Sequence, residues 1–118
     1  MKILVAEDEP LLLKTIELKL KKEGYEVIIT QDGKQALEHI RKENPDLVIT
    51  DIMMPYASGM EIINFIRQKM EKKIAVIMLS GMEQEQVKME AFDLGADDYI
   101  TKPFSLNELA IRVKRLLR

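Results

Sequence analysis

Three acids, one hydroxyl and one lysine stand out because each closely follows a short apolar run. Glu7 and Asp8 follow ILVA, Asp51 follows LVIT, Ser80 follows IAVIML and Lys102 follows YIT. If these runs are strands of one parallel sheet, the five residues lie at its carboxyl edge, where α/β sheets bind ligands. Three carboxylates in one crevice repel: at about 5 Å and an effective dielectric near 20, each pair costs roughly 3 kcal/mol. Protonating one relieves the repulsion, and so does binding a cation. An oxygen-only site suits a hard divalent ion such as Mg²⁺. A carboxylate beside a metal, a lysine and a hydroxyl is a nucleophile for phosphorus, giving an acyl phosphate whose charge the cations neutralise.

Each residue alone has an ordinary explanation. Asp51 reads equally well as a cap or turn residue, and Glu7, Asp8 and Glu9 ahead of Pro10 suit a helix N-terminus. Ser80-Gly81 is an ordinary turn, and Lys102 an ordinary surface lysine. Their joint placement at one sheet edge is what points to chemistry.

The elements that must position them follow from the apolar pattern. Runs at 3–6, 27–30, 47–50, 74–79 and 99–101 are continuous, as strands buried on both faces are. They start 24, 20, 27 and 25 residues apart, room each time for one helix and two loops. The spacing predicts five βα units in one α/β domain over residues 1–118. The second run ends in Thr30-Gln31 without charge, as an edge strand would.

Pro10 opens the first helix, Leu13, Ile16 and Leu20 form its inner stripe, and Gly24 follows its end. Asp32-Gly33 is a turn before Ala36, Leu37 and Ile40. Met60, Ile63, Ile66 and Met70 mark a third helix. Val87, Ala91 and Leu94 mark a fourth, ended by Gly95. Ser105 and Glu108 make a capping box for a fifth, whose stripe is Leu109, Val113 and Leu116.

Composition removes other classes. The 118 residues include no cysteine and one histidine, which excludes disulfides, thiolate metal sites and His clusters. His39 reads as a surface histidine. The eight methionines read as packing residues, since Met60 and Met70 fall on a helical stripe and Met78 in a strand. The net charge of −2 gives no global pull toward nucleic acid. It is uneven: residues 1–59 and 60–101 each sum to −3, and residues 102–118 to +4. No apolar run approaches the roughly 20 residues of a membrane span, and the expected location is the cytoplasm.

The segments ILVAEDE, DLVITDIMMPYASG, IAVIMLSG and LGADDYITKPF occur in order, each at a strand end. In them the chain resembles the receiver domain of two-component response regulators, over essentially its whole length. The resemblance implies a flavodoxin-like (βα)5 doubly wound parallel sheet of strand order 2-1-3-4-5. It implies that Asp51 accepts phosphate from a histidine of a sensor histidine kinase. Such a chain is a signalling switch rather than an enzyme, although it assists its own phosphotransfer and dephosphorylation. Asp8 and Asp51 would ligate Mg²⁺ directly, Glu7 through water and Met53 through its backbone carbonyl. Ser80 and Lys102 would contact the phosphoryl group, and the Lys102–Pro103 peptide would be cis. Tyr99 would be the switch aromatic coupled to Ser80. Glu7 stands where the family often has Asp, and Ser80-Gly81 replaces a commoner Thr-Ala pair.

The ending DDYITKPFSLNELAIRVKRLLR resembles the OmpR/PhoB-like branch. That implies a phosphorylation-dependent homodimer through the fourth helix, fifth strand and fifth helix. Lys88 with Glu108, and Asp98 with Arg112, are the expected cross-subunit pairs, and Asp97 is expected to pair with a basic residue near the end. It also implies transcription regulation through a DNA-binding output domain absent from this chain, with no nucleic-acid contact by the receiver itself. The alternative is a stand-alone receiver acting by protein–protein contact. Met53 and Met82 occupy positions that influence acyl-phosphate hydrolysis in the family, and neither side chain activates water. A phosphatase of related fold would place an Asp where Met53 stands. A flavin or dinucleotide module would need a glycine- or hydroxyl-rich first loop, not Glu-Asp-Glu-Pro.

Overall fold

The computed structural model describes residues 1–81 and 84–118. Five strands alternate with five helices: β1 Lys2–Ala6, α1 Pro10–Lys22, β2 Glu26–Thr30, α2 Gly33–Glu43, β3 Leu47–Asp51, α3 Gly59–Lys69, β4 Ala75–Ser80, α4 Glu85–Leu94, β5 Asp98–Thr101 and α5 Leu106–Leu116. All pairings are parallel, and the order is β2-β1-β3-β4-β5. The fold is flavodoxin-like, as expected, with β2 at an edge. Asp51 and Ser80 lie inside their strands rather than beyond them, because Asp51 pairs with Leu79 and Ser80 with Thr101.

Strand side chains alternate between faces, so each run divides into two rows. Ile3, Val5, Leu47, Ile49, Ile77, Leu79 and Ile100 pack with Leu13, Ile16 and Leu20 of α1 and with Leu109 and Val113 of α5. Leu4, Ala6, Val48, Val76, Met78 and Tyr99 pack against Ala36 and Ile40 of α2, Ile62, Ile63 and Ile66 of α3, and Ala91 of α4. Burying each large aliphatic side chain contributes roughly 1.5–3 kcal/mol.

The α3 stripe differs from expectation. Ile62, Ile63 and Ile66 are the buried residues, while Met60 and Met70 are half-buried at its margin. A methionine at either end of an apolar set is flexible enough to lie along the rim.

Candidate functional site

Period two carries the inner rows directly to the polar residues. Ile3 and Val5 lead to Glu7, Leu47 and Ile49 to Asp51, and Ile100 to Lys102. Ser80 and Tyr99 belong instead to the rows facing α4, with Val76 and Met78. The sheet thus delivers its charged trio toward the α1/α5 side, and Ser80 and Tyr99 toward the α4 side.

Lys102 Nζ lies 2.8 Å from Glu7 Oε1 and 2.8 Å from Asp51 Oδ2. Glu7 Oε2 accepts the Glu9 N–H at 3.1 Å, and Asp51 Oδ1 accepts the Met53 N–H at 3.3 Å. Glu7 and Asp51 are buried, and Asp8 is exposed. Glu7, Asp8 and Asp51 each offer a carboxylate oxygen within 4.8 Å of the others. That oxygen-only donor set fits a hard divalent cation. Burial pushes the Glu7 carboxyl above its ordinary value, against the hydrogen bonds from Lys102 and the Glu9 amide, and the Asp51 charge adds to the rise. Burial pulls the Lys102 ammonium down, but hydrogen bonds to Asp51 and Glu7 outweigh it and hold lysine above its ordinary value. Lysine therefore stays charged and shared between two acids.

The remaining expected residues are placed as follows. Ser80 is buried at the end of β4, and its carbonyl accepts the Lys102 N–H at 2.7 Å. The Lys102–Pro103 peptide is cis. The Met53 side chain is 63% exposed, and Met82 lies outside the described residues. Tyr99 is buried within the α4-side core, 6.5 Å from the Phe92 ring, with Lys88 Nζ 5.7 Å from its own ring centroid. Asp98 takes Arg112 at 2.6 Å and Arg115 at 3.7 Å, and Arg112 also reaches Glu108 at 3.1 Å, all within one chain. Within the chain, Asp97 holds Arg67 of α3 at 3.0 Å. His39 is half-buried on α2. A cleft of about 440 Å³ opens beside Lys102, lined by Glu9, Leu11, Leu12, Thr15, Pro103 and Phe104.

Two contributors escaped sequence reasoning. A Cβ on Gly59 would lie 2.5 Å from the Asp51 carbonyl oxygen, so only glycine lets α3 begin directly behind the acid. Ser58 and Glu61 form the capping box that starts this helix, a signal legible in the sequence as Ser-x-x-Glu.

The family model of the response regulator receiver domain matches residues 3–114. The receiver domain of a Francisella response regulator is 39% identical, with a TM-score of 0.91, covering 98% of this chain and 94% of that one. TrrA of Thermotoga maritima, solved in complex with Mg²⁺ and a beryllium fluoride, is 36% identical, with a TM-score of 0.86 and coverage of 98% and 97%. The BeF3-activated N-terminal receiver domain of Klebsiella pneumoniae RstA is 30% identical, with a TM-score of 0.92 and coverage of 100% and 99%. With a family match across nearly its whole length and an acidic, lysine-bridged pocket at the family's sheet edge, this chain belongs to the response regulator receiver domains.

Proposed function

We propose that this chain is switched by phosphorylation of Asp51, with a sensor histidine kinase supplying the phosphate as phosphohistidine. The observation that supports this most is the Lys102 bridge, which fixes Asp51 beside a cation while Asp8 remains exposed to complete a metal site. A carboxylate oxygen of Asp51 attacks phosphorus, the bond to the imidazole nitrogen breaks with its electron pair left on the ring, and an acyl phosphate results. Asp8 and Asp51, the Met53 carbonyl and, through water, Glu7 would hold Mg²⁺. That ion would neutralise charge on the transferring group. Lys102 supports the same charge from the other side, and Ser80 offers its hydroxyl to a phosphoryl oxygen.

The reading gives Ser80 and Tyr99 the role of coupled switch elements, with a dimer through α4, β5 and α5. Met89 and Phe92 expose apolar surface on α4, which suits that role. Asp98, Glu108 and Arg112 already pair within one chain, so cross-subunit pairs of Lys88 with Glu108 and of Asp98 with Arg112 would exchange partners rather than add them. Such exchanges set register more than affinity. The resemblance of the ending to the OmpR/PhoB-like branch supports a cytoplasmic transcription regulator acting through a DNA-binding domain.

Acetyl phosphate with Mg²⁺ should label the wild type and shift its sedimentation toward dimer. Asp51→Asn should take up no label and stay monomeric; equal labelling would overturn the reading. Among labelled forms, Met53→Asn should lose phosphate faster than the wild type, since an amide at that exposed position can orient water and a thioether cannot.

A further inference from the structure

Arg67, near the end of α3, uses all three guanidinium nitrogens. Nε and Nη2 donate to the Gly95 carbonyl at 3.2 and 2.7 Å, and Nη1 donates to the Ile74 carbonyl at 2.6 Å. Nη2 also reaches Asp97 Oδ2 at 3.0 Å, and that oxygen accepts the Val76 N–H at 2.8 Å. The Asp97 N–H in turn donates to the Val76 carbonyl at 2.8 Å. One planar fork therefore ties α3 to the entry of β4, the carbonyl that follows α4 and the entry of β5. A Cβ on Gly95, whose φ is +114°, would sit 2.7 Å from Arg67 Nε, so the chain leaves α4 pressed onto the guanidinium.

The opposite end of α4 is held differently. Gln84 makes no side-chain cap; Val87 packs only partly buried against the core, and among the helix's ten residues Ala91 alone is fully buried. Ala91 lies in the C-terminal half, nearer the Arg67 fork. The N-terminal end is the one the chain reaches from Ser80. A helix bonded firmly at one end and packed lightly at the other responds to a pull by moving at the light end.

We propose that Arg67 is a positioning residue for the output face, anchoring the C-terminal end of α4 so that the helix answers a change at Ser80 through its N-terminal half alone. The inference rests on the phosphorylation reading for its stimulus. It leaves Asp97 a double role: both contacts use Oδ2, and Oδ1 stays available to a second protomer.

Hydrogen exchange, followed by mass spectrometry on the whole chain with and without beryllofluoride and Mg²⁺, tests it. In the wild type the exchange change should fall in residues 84–89 and be absent from 90–95. In Arg67→Met the response should spread along the whole helix, and exchange in 90–95 should rise about tenfold or more even without beryllofluoride, the effect of losing charge-assisted bonds. Arg67→Lys keeps the charge without the fork and should fall between, which also covers a poorly folded methionine variant. Equal response of both halves in the wild type overturns the anchor, and so does unaltered protection of 90–95 in both variants. A response at Asp51 that never reaches α4 overturns it as well. If beryllofluoride changes nothing anywhere, including around Asp51, the phosphorylation reading fails instead, and the anchor is judged on the unliganded variants.

Discussion

Asp46 precedes β3 and Asp51 is its last residue, five residues on, and their surroundings differ. Asp46, just before β3, accepts the Lys2 N–H at 2.7 Å and the Lys72 ammonium at 2.8 Å. Its own N–H donates to the Lys2 carbonyl at 2.8 Å, and its carbonyl accepts the Ala75 N–H at 3.1 Å. It knits three strands together, and its carboxyl lies below the usual range because of the Lys2 amide first and Lys72 second. Asp51, at the other end, shares one lysine with Glu7 and has Asp8 within ligand reach. One edge of the sheet answers acid with enough partners. The other gathers acids beyond what one cation balances. Residues of the same type thus divide by neighbourhood: the satisfied edge stabilises, and the crowded edge holds electrostatic strain that a bound cation would relieve.

The comparison is sharpest with metal. Mg²⁺ at a hundredfold excess over its Kd should raise unfolding free energy by about 2.7 kcal/mol in denaturant titrations. Asp8→Asn should erase most of that gain, while Asp46→Asn should leave it intact. A gain that survives Asp8→Asn would place the ion elsewhere. Next in size is the lysine at each edge. Lys102→Met strips the cation from buried Glu7 and should cost about 2 kcal/mol. Lys72→Met opens a more exposed pair and should cost less than about 1 kcal/mol. Equal losses would erase the distinction between the edges. Smaller again, and opposite in sign, Asp8→Asn without metal should stabilise by about 1 kcal/mol or less, because it removes repulsion.

Much of this is legible in the amino-acid sequence. Five apolar runs at regular spacing reveal a parallel sheet, and counting by two from Ile3, Leu47 and Ile100 leads to Glu7, Asp51 and Lys102. Pairwise geometry was not legible. Nothing local in the sequence says that Lys102 bridges Glu7 and Asp51, since those contacts span 95 and 51 residues. Arg67 was missed because an arginine late in an amphipathic helix ordinarily satisfies the helix dipole. Its role depends on where Gly95 and Ile74 end up. Asp46 was passed over for a similar reason: after Asn44-Pro45 it looks like turn chemistry, and its bonds reach back to the second residue of the chain.

The smallest expected effect concerns Asp46 in acid. Its folded pKa lies below the unfolded value, which is about 3.9 for aspartate. The stability it contributes is therefore fully present above that unfolded value and is lost as the pH falls through the lower folded one. Glu17 falls in a similar window, its carboxyl lowered by hydrogen bonds from Lys21 and then Lys14, so the absolute slope of stability against pH reports both groups. The difference between the wild type and Asp46→Asn isolates one. Asparagine still accepts the Lys2 amide but has no charge to lose. The variant should be less stable at neutral pH, by about 0.5 kcal/mol, and the two curves should converge on acidification through the acid range. Curves that run parallel through that range would mean that Asp46 holds the strands by geometry alone, and the satisfied edge would then owe little to charge.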